Sequence, residues 1–252
     1  MAATADDTAQ HTHASRPPRG RRRLGPVAIV ISFFGEMLIT AGVLLGLFVV
    51  YSLWWTNVVA DRAADRQADK VRDSWARESD GAERDAPAVY DSKNGIGFLH
   101  VPTMSGDDIL VEKGTSMKVL NDGVAGYYTD PVKATLPTSG KKGNFSLAAH
   151  RDGHGAKFHG IHRIKEGDPI VFETKDTWFV YKVYGILPKT SKYNVGVLGK
   201  VPAESGREKA GHYITLTTCT PVYTSKYRYI VWGELVRKEK VDENRTPPEE
   251  LR

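Results

Sequence analysis

A single apolar stretch constrains this chain more than any other feature of its sequence. Between residues 27 and 55 the only formally charged residue is Glu36. A helix needs about 20 apolar residues to cross a bilayer, so this stretch is long enough even with some tilt. Tyr51, Trp54 and Trp55 close it, and such aromatic residues are enriched at membrane–water interfaces. The sequence therefore predicts a transmembrane helix over 27–55.

A cleaved signal peptide is the alternative explanation of that stretch. The apolar core of a signal peptide runs for about 7–15 residues and ends at a small-residue cleavage site. This core is longer and ends in Tyr-Ser-Leu-Trp-Trp, which favours an uncleaved anchor. The mean hydropathy of the whole chain is −0.38, which excludes a protein with many spans.

The flanking charges predict the orientation of the anchor. Residues 1–26 carry five arginines against two aspartates, and positive flanks stay in the cytoplasm. We therefore expect a basic cytoplasmic tail over 1–26 and an extracellular remainder. The RPPRGRRR run could instead bind nucleic acid, but its place beside the anchor favours the topological role, and no nucleic-acid partner is expected.

The rest of the chain divides by composition into three parts. Residues 56–94 interleave acidic and basic residues around a thin apolar stripe of Val71 and Trp75, which predicts a charged, solvated juxtamembrane stalk without chemistry of its own. Residues 95–238 form the candidate folded domain, which is long enough for one core. The charged tail over 239–252 contains two prolines and is predicted to be disordered.

Short β-prone runs alternate with turn-rich connections in the candidate domain. This pattern is typical of a mainly β fold, a barrel or a sandwich, with short helices such as one at 115–121. No nucleotide-binding βαβ unit with a glycine-rich loop is visible. The predicted strands are 96–101, 144–150, 169–174, 178–187, 213–219 and 227–236.

Cys219 is the only cysteine, which excludes an intramolecular disulfide and a metal site built from several cysteines. It ends a predicted strand in which alternation places Thr217 and Cys219 on one face and Leu216 and Thr218 on the other. Strand ends commonly carry catalytic groups. A lone cysteine is also often a buried structural residue, so the pattern alone leaves both alternatives open.

A cysteine nucleophile needs a histidine that is near in space. His150 follows an apolar run and precedes Arg-Asp-Gly, where a predicted strand opens into a loop. His154, His159 and His162 follow closely, which raises the alternative of a metal site. Their spacing matches no standard zinc signature, and the acidic residues between 166 and 176 are too few for calcium. We expect no metal and no other cofactor.

Arg228 opens the strand that follows Cys219, so a hairpin would place the arginine beside the cysteine strand. There it could stabilise an oxyanion or orient a substrate carbonyl. A surface arginine on a strand would give the same pattern.

Together these residues resemble a known family. TLTTC at 215–219 is similar to the TLxTC signature of sortases, the membrane-anchored cysteine transpeptidases of Gram-positive bacteria. The chain order of LAAH at 147–150, the cysteine and then Arg228 also matches, and the runs GNFSLAAHRDGHGAKF, GDPIVFET, ILPKTS and TLTTCTP resemble class E sortases. The resemblance covers about residues 95–238 and implies an eight-stranded sortase β-barrel. The catalytic residues it implies are Cys219, His150 and Arg228.

The resemblance also implies the reaction and its partners. Cys219 would attack a carbonyl in the C-terminal sorting motif of a secreted protein and form a thioacyl enzyme. An amine of a peptidoglycan precursor would then take the acyl group. His150 would protonate the departing amine and deprotonate the incoming one, while Arg228 would stabilise the oxyanion. Thr218 is predicted to contact the substrate through its backbone or hydroxyl, although an ordinary strand residue would look the same.

Class E sortases favour an LAxTG motif where most housekeeping sortases accept LPxTG. Alanine in place of proline leaves a backbone N–H that an acceptor in the enzyme could bind. A tyrosine hydroxyl is a suitable acceptor. Tyr128 is the candidate, with its neighbour Tyr127 as the alternative; both could also be ordinary core or rim aromatics.

Two other functions stay open at this point. An extracellular cysteine peptidase would use the same residues but would transfer the acyl group to water. A membrane-tethered β-domain that only binds wall polymer or partner proteins would not need Cys219 at all.

Overall fold

The computed structural model of the chain describes residues 25–80, 95–104 and 108–252. The described residues fall into two compact units, which divide between Phe48 and Val49. The predicted basic tail, apart from its last two residues, and the end of the predicted stalk over 81–94 lie outside the described residues.

A long helix, α1 (Pro26–Asp80), opens the described chain. Its N-terminal part is long and apolar enough to cross a membrane, and the apolar side chains there are exposed. This agrees with the predicted apolar helix. A helix that is hydrophobic on all sides and is not buried in its own protein is typical of a membrane span.

Eight strands form a closed barrel in the second unit, which confirms the predicted mainly β, eight-stranded fold. Around the barrel the strand order is β1-β2-β3-β4-β7-β8-β6-β5, and every described strand has two neighbours, so no edge is left open. The strands are β1 (Gly97–His100), β2 (Ile109–Lys113), β3 (Ala125–Tyr127), β4 (Gly143–Ala148), β5 (Pro169–Glu173), β6 (Thr177–Ser191), β7 (His212–Thr220) and β8 (Tyr227–Lys240).

The helices among the strands are short. One turn of α-helix, α2 (Met117–Leu120), lies within the predicted segment 115–121. The remaining ones are 3₁₀ helices at Pro137–Ser139, His159–Arg163, Val195–Leu198 and Glu249–Leu251.

The barrel interior is filled by alternate residues of its strands. Phe145 and Leu147 of β4 pack there against Ile214 and Leu216 of β7 and Val231 of β8. Because successive side chains of a strand point to opposite faces, the residues between Ile214 and Leu216 and beyond them lie on the outside of the barrel wall.

The C-terminal part of α1 packs against the barrel. Ala60, Ala64, Val71 and Trp75 are buried, and they follow one another at intervals of four, seven and four residues, which places them on one helix face. The Trp75 ring meets Phe98 of β1 edge-on, with 5.5 Å between ring centroids. The expectation of a solvated stalk is therefore wrong for this face. Ala60 and Ala64 are small and let the helix approach the barrel closely. A prediction based on large apolar residues alone does not detect such a contact.

The C-terminal tail also packs on the barrel, so the prediction of a disordered tail is wrong. The Arg245 guanidinium binds the buried carboxylate of Glu173 and the carbonyl of Thr174. Val241 and Leu251 pack beside Trp178. A buried carboxylate needs a cationic partner, and the tail supplies one.

Candidate active site

Cys219 lies near the end of β7 and is partly exposed. In the antiparallel ladder with β8 it stands directly opposite Arg228. Residues directly opposite each other in such a ladder share a face of the sheet, with their Cβ atoms about 4.5–5.5 Å apart. The hairpin predicted from the sequence is present, and it places Arg228 opposite Cys219 on the same face of the sheet.

His150 reaches the same place from the other side of β7. Strands β4 and β7 run parallel, with Ala148 beside Thr217, and the backbone N–H of Ala149 donates to the carbonyl of Thr217. His150 follows Ala149 just as Cys219 follows Thr218. The barrel wall thus brings the three predicted catalytic residues together at one end of three adjacent strands.

The surroundings of His150 favour its neutral form. Burial is the largest cause that lowers the pKa of the ring, the charge of His154 lowers it further, and Asp152 opposes both in part. The ring contacts a neutral group, since its Nε2 lies 2.9 Å from Oδ1 of Asn121. An imidazole in this setting is able to accept a proton near neutral pH.

Hydrogen bonds tie the loop after His150 to the loop after Cys219. The Arg151 guanidinium donates to the Thr220 hydroxyl at 2.9 Å and to the Cys219 carbonyl at 3.4 Å. The backbone N–H of Tyr223 donates to the Asp152 carboxylate. Sequence reasoning missed Arg151 and Asn121, and adjacency to His150 was the only signal for Arg151.

Comparison with known proteins decides the family of this arrangement. The model of the sortase domain matches residues 99–236. The chain is 72% identical to Sortase SrtE2 of Streptomyces coelicolor over the full length of both proteins. The chain belongs to the sortase family. It is 45% identical to Sortase SrtE1 of the same organism, over 89% of this chain and 62% of that protein, so it is a cysteine transpeptidase of class E.

Solved structures of class E sortases share the fold. The crystal structure of sortase E1 from Streptomyces coelicolor, with a tripeptide in its active site, is 46% identical with a TM-score of 0.58, and the match covers 62% of this chain and 96% of that one. Sortase E from Streptomyces avermitilis is 34% identical with a TM-score of 0.55, over 63% and 97% of the two chains.

Tyr128 of this sortase lies close enough to Cys219 and Arg228 for both to influence its hydroxyl. Its hydroxyl oxygen is 2.9 Å from Oγ1 of Thr217, and Thr217 itself donates to the carbonyl of Leu147 at 3.0 Å. A threonine hydroxyl has one proton, so when Thr217 donates to Leu147 it is Tyr128 that donates to Thr217. The tyrosine oxygen thereby keeps lone pairs to accept a hydrogen bond. Tyr127, the alternative, packs in the barrel core.

Burial raises the pKa of the Tyr128 hydroxyl, and this effect outweighs the lowering by the Thr217 hydrogen bond and by the Arg228 charge. The phenol is thus protonated at neutral pH and keeps its donor role toward Thr217.

Thr218 points away from that side of the barrel wall. It is buried, and its hydroxyl donates to the carbonyl of Ala149 at 2.7 Å. Its only proton therefore links the Cys219 strand to the residue before His150. Contact of Thr218 with the substrate stays a prediction.

The remaining histidines of the cluster have separate partners. His154 lies with its ring centroid 5.4 Å from that of His150, Nδ1 of His159 lies 2.8 Å from the carbonyl of Arg151, and Nδ1 of His162 lies 3.3 Å from the carbonyl of His159. Within residues 25–80, 95–104 and 108–252, no group of three or more His, Cys, Asp or Glu side chains is arranged to hold a metal ion.

Proposed function

We propose that this sortase cleaves an LAxTG-like sorting motif of secreted proteins through a Cys219 thioacyl intermediate. The acyl group then passes to an amine of a peptidoglycan precursor. The observation that carries the proposal is the convergence of Cys219, His150 and Arg228 at one end of β4, β7 and β8. The tripeptide in the active site of the related sortase E1 supports a peptide substrate.

In the first step the sulfur of Cys219 attacks the threonine carbonyl carbon of the motif. His150 takes the thiol proton, and the carbonyl oxygen becomes an oxyanion. When the C–N bond breaks, the imidazolium returns the proton to the departing glycine amine, and a thioester remains. In the second step neutral His150 takes a proton from the incoming amine, which attacks the thioester, and then protonates the Cys219 sulfur as it leaves. The lowered pKa of His150 suits this exchange.

Arg228 is the proposed oxyanion partner. Its Nη1 donates to the carbonyls of Ser225 and Tyr227 at 3.1 and 3.0 Å, which fixes the guanidinium at the start of β8. A guanidinium has five N–H donors in a rigid fork, so this anchoring leaves donors for a substrate oxygen opposite Cys219.

Tyr128 and Thr218 are the proposed substrate contacts. The Tyr128 oxygen would accept the alanine N–H of LAxTG, which proline in LPxTG lacks. For Thr218 the hydroxyl proton is already donated to Ala149, so the proposed contact uses its backbone or the lone pairs of its hydroxyl oxygen.

We also propose the topology that the sequence predicted: a cytoplasmic tail over 1–26, a span over 27–55, and an extracellular remainder in which the juxtamembrane segment 56–94 leads into a catalytic domain over 95–238. The helical, apolar, exposed start of α1 supports this arrangement. Protease added to intact protoplasts is expected to remove the catalytic domain; a domain that survives there but is digested after lysis would overturn the orientation.

The decisive experiment incubates the full chain in detergent micelles with an LAxTG peptide and an amine acceptor, followed by mass spectrometry. We expect a thioacyl enzyme and a ligated product. Hydrolysis without ligation at saturating amine would identify a peptidase. Peptide binding that persists in Cys219→Ala, with no covalent species in the parent protein, would identify a binding module.

A further inference from the structure

The first turns of α1 beyond Trp55 contact two loops of the barrel domain at once. The backbone N–H of Gly155 donates to Oδ1 of Asn57 at 3.0 Å. Four residues later on the same helix face, Oδ1 of Asp61 accepts from Nζ of Lys157 at 2.9 Å. The helix therefore binds the loop that follows His150 through one backbone and one side-chain donor.

The second loop is the turn after α2, and it packs against the helix backbone. A Cβ atom built on Gly123 would lie 2.9 Å from the carbonyl oxygen of Ala60, and one on Gly155 would lie 3.3 Å from Cα of Gly123. Both glycines have positive φ angles, 75° and 77°. Helix and loops thus meet at one point where only glycine fits.

Both loops contribute to the position of His150. The turn before Gly123 carries Asn121, whose Oδ1 lies 2.9 Å from Nε2 of His150. The other loop starts at His150 itself and closes where the Phe158 N–H donates to the His150 carbonyl at 2.9 Å. It also brings the His154 ring to 5.4 Å from the His150 ring. The position of the imidazole therefore depends on both loops.

The loop after His150 needs support from outside. Four consecutive residues, from Gly153 to Ala156, have positive φ angles, and two of them, His154 at 47° and Ala156 at 41°, are not glycine. A left-handed conformation at a residue with a Cβ costs about 1–2 kcal/mol and persists only where its surroundings hold it. The contacts from Asn57 and Asp61 fall on and beside these residues.

We propose that Asn57 and Asp61 are positioning residues for His150. The juxtamembrane helix is then part of the catalytic architecture: its first turns hold the two loops that orient the imidazole. This inference rests on the proposed role of His150 in the transfer reaction.

The test compares variants of the full chain in detergent micelles. For the double variant Asn57→Ala/Asp61→Ala we expect kcat for ligation of an LAxTG peptide to fall about tenfold, since small misplacements of a catalytic group are costly. KM for the peptide should stay within about twofold of the parent value, because neither residue lies at Tyr128 or Cys219. Arg72→Ala is the matched control: it removes another ion pair of the same helix, to Asp108, about 16 Å further along the axis than Asp61.

Two further measurements separate positioning from general loss of structure. The charge exchange Asp61→Lys/Lys157→Asp restores the ion pair with its partners reversed and should recover most of the kcat that Asp61→Lys alone loses. The His150 ring, followed by NMR, should titrate at higher pH in the double variant, because a loosened loop exposes it to water and relieves the burial that lowers its pKa.

The proposal is overturned if the double variant keeps parental kcat and His150 titration, or if Arg72→Ala reduces kcat equally. A parent enzyme without ligation or hydrolysis would refute the proposed function instead, and the NMR titration would still report whether Asn57 and Asp61 position the ring.

Discussion

Two histidines of the barrel domain lie in opposite electrostatic surroundings, one near each end of the docked part of α1. His100 has a carboxylate on each ring nitrogen: Nδ1 lies 2.9 Å from Asp108 and Nε2 lies 2.9 Å from Glu173. Burial alone would lower the pKa of His100, but the hydrogen bonds and charges of these carboxylates outweigh it and raise the pKa. His150 has an amide and a second histidine instead, and its pKa is lowered.

With the proposed role of His150, this difference would let one residue type serve two purposes. At His100 each charge has an opposite charge beside it, from Arg72 of the helix and Arg245 of the tail as well, so the cluster joins three segments of the chain. At His150 no carboxylate is hydrogen-bonded to the ring among the described residues, and burial together with His154 lowers its pKa, which suits the proton exchange proposed for it. Paired charge favours a fixed structure, and a neutral partner favours proton transfer.

Loss of the thiol should have the largest effect and should be confined to the active site. Cys219→Ala is expected to abolish the thioacyl enzyme, hydrolysis and ligation, because the nucleophile is gone. Thermal unfolding should remain close to that of the parent, since the side chain is small and partly exposed. Intact-mass spectrometry and unfolding of the two proteins check this. Any acyl adduct on the variant would contradict the assignment of Cys219.

The two partners of Cys219 should come next. His150→Ala and Arg228→Ala are each expected to lower kcat/KM by at least about a hundredfold, the usual scale for a general acid–base or an oxyanion donor. Steady-state ligation kinetics measure the loss. If His154→Ala or His162→Ala loses activity while His150→Ala does not, the general base is assigned wrongly.

The equivalent change at the other histidine should affect stability and spare the chemistry. His100→Gln removes the ring that bridges two carboxylates and, measured below pH 6.5, should lower the free energy of unfolding by about 2 kcal/mol, the scale of a charged hydrogen bond. Its kcat should stay within about twofold of the parent value, because the residue lies away from the site. Urea unfolding and ligation kinetics of the same preparation test both parts. A large fall in kcat of His100→Gln with unchanged stability would show that the two histidines do not differ in this way.

The opposite pKa shifts predict opposite pH dependences. The folded pKa of His100 is above its ordinary value of 6.5, so its stabilising contribution is full below pH 6.5 and disappears as the pH rises through the folded pKa. For His150 the folded pKa is below 6.5, so its contribution is present above pH 6.5 and is lost as the pH falls through the folded pKa. Both pH dependences can be measured from unfolding curves of the parent, His100→Gln and His150→Gln between about pH 5 and 8, the range in which histidines usually titrate. If the stability difference between variant and parent changes with pH in the same direction for both variants, the contrast between the two histidines is refuted.

The smallest expected effect concerns substrate choice. Tyr128→Phe removes one hydrogen-bonding oxygen, worth about 1 kcal/mol, so the preference for LAxTG over LPxTG should narrow several-fold while the reaction continues. The ratio of kcat/KM for the two peptides in both proteins is the measurement, and Tyr127→Phe is the control. An unchanged ratio would refute the proposed role of Tyr128. A parent enzyme that prefers LPxTG would refute the proposed LAxTG specificity.

The mainly β character of the domain could be predicted from local sequence, whereas the closed eight-stranded barrel and the meeting of the three candidate catalytic residues were implied by the resemblance to sortases, because both depend on pairing between strands far apart in the chain. Alternation along β7 separated the face of Leu216, which packs in the core, from the face of Cys219, and strand ends marked Cys219 and His150 as candidates. Other features could not be predicted in this way. Strand β3 is three residues long and contains a glycine, which is too short for a periodic signal. The contacts of Asn121, Asn57 and Arg245 join residues far apart in the chain, and no local pattern encodes such a partner.

The contact at Asn57 also limits how far the candidate active site can lie from the membrane. Asn57 follows Trp55 by two residues of one continuous helix, a rise of about 3 Å. If the proposed span ends at Trp55, the loop after His150 is held within roughly one helical turn of the bilayer boundary along that helix. A substrate carried by the same membrane would then meet the enzyme by lateral diffusion at a high effective concentration. A soluble peptide lacks that advantage, so measurements in micelles understate the encounter rate on a cell.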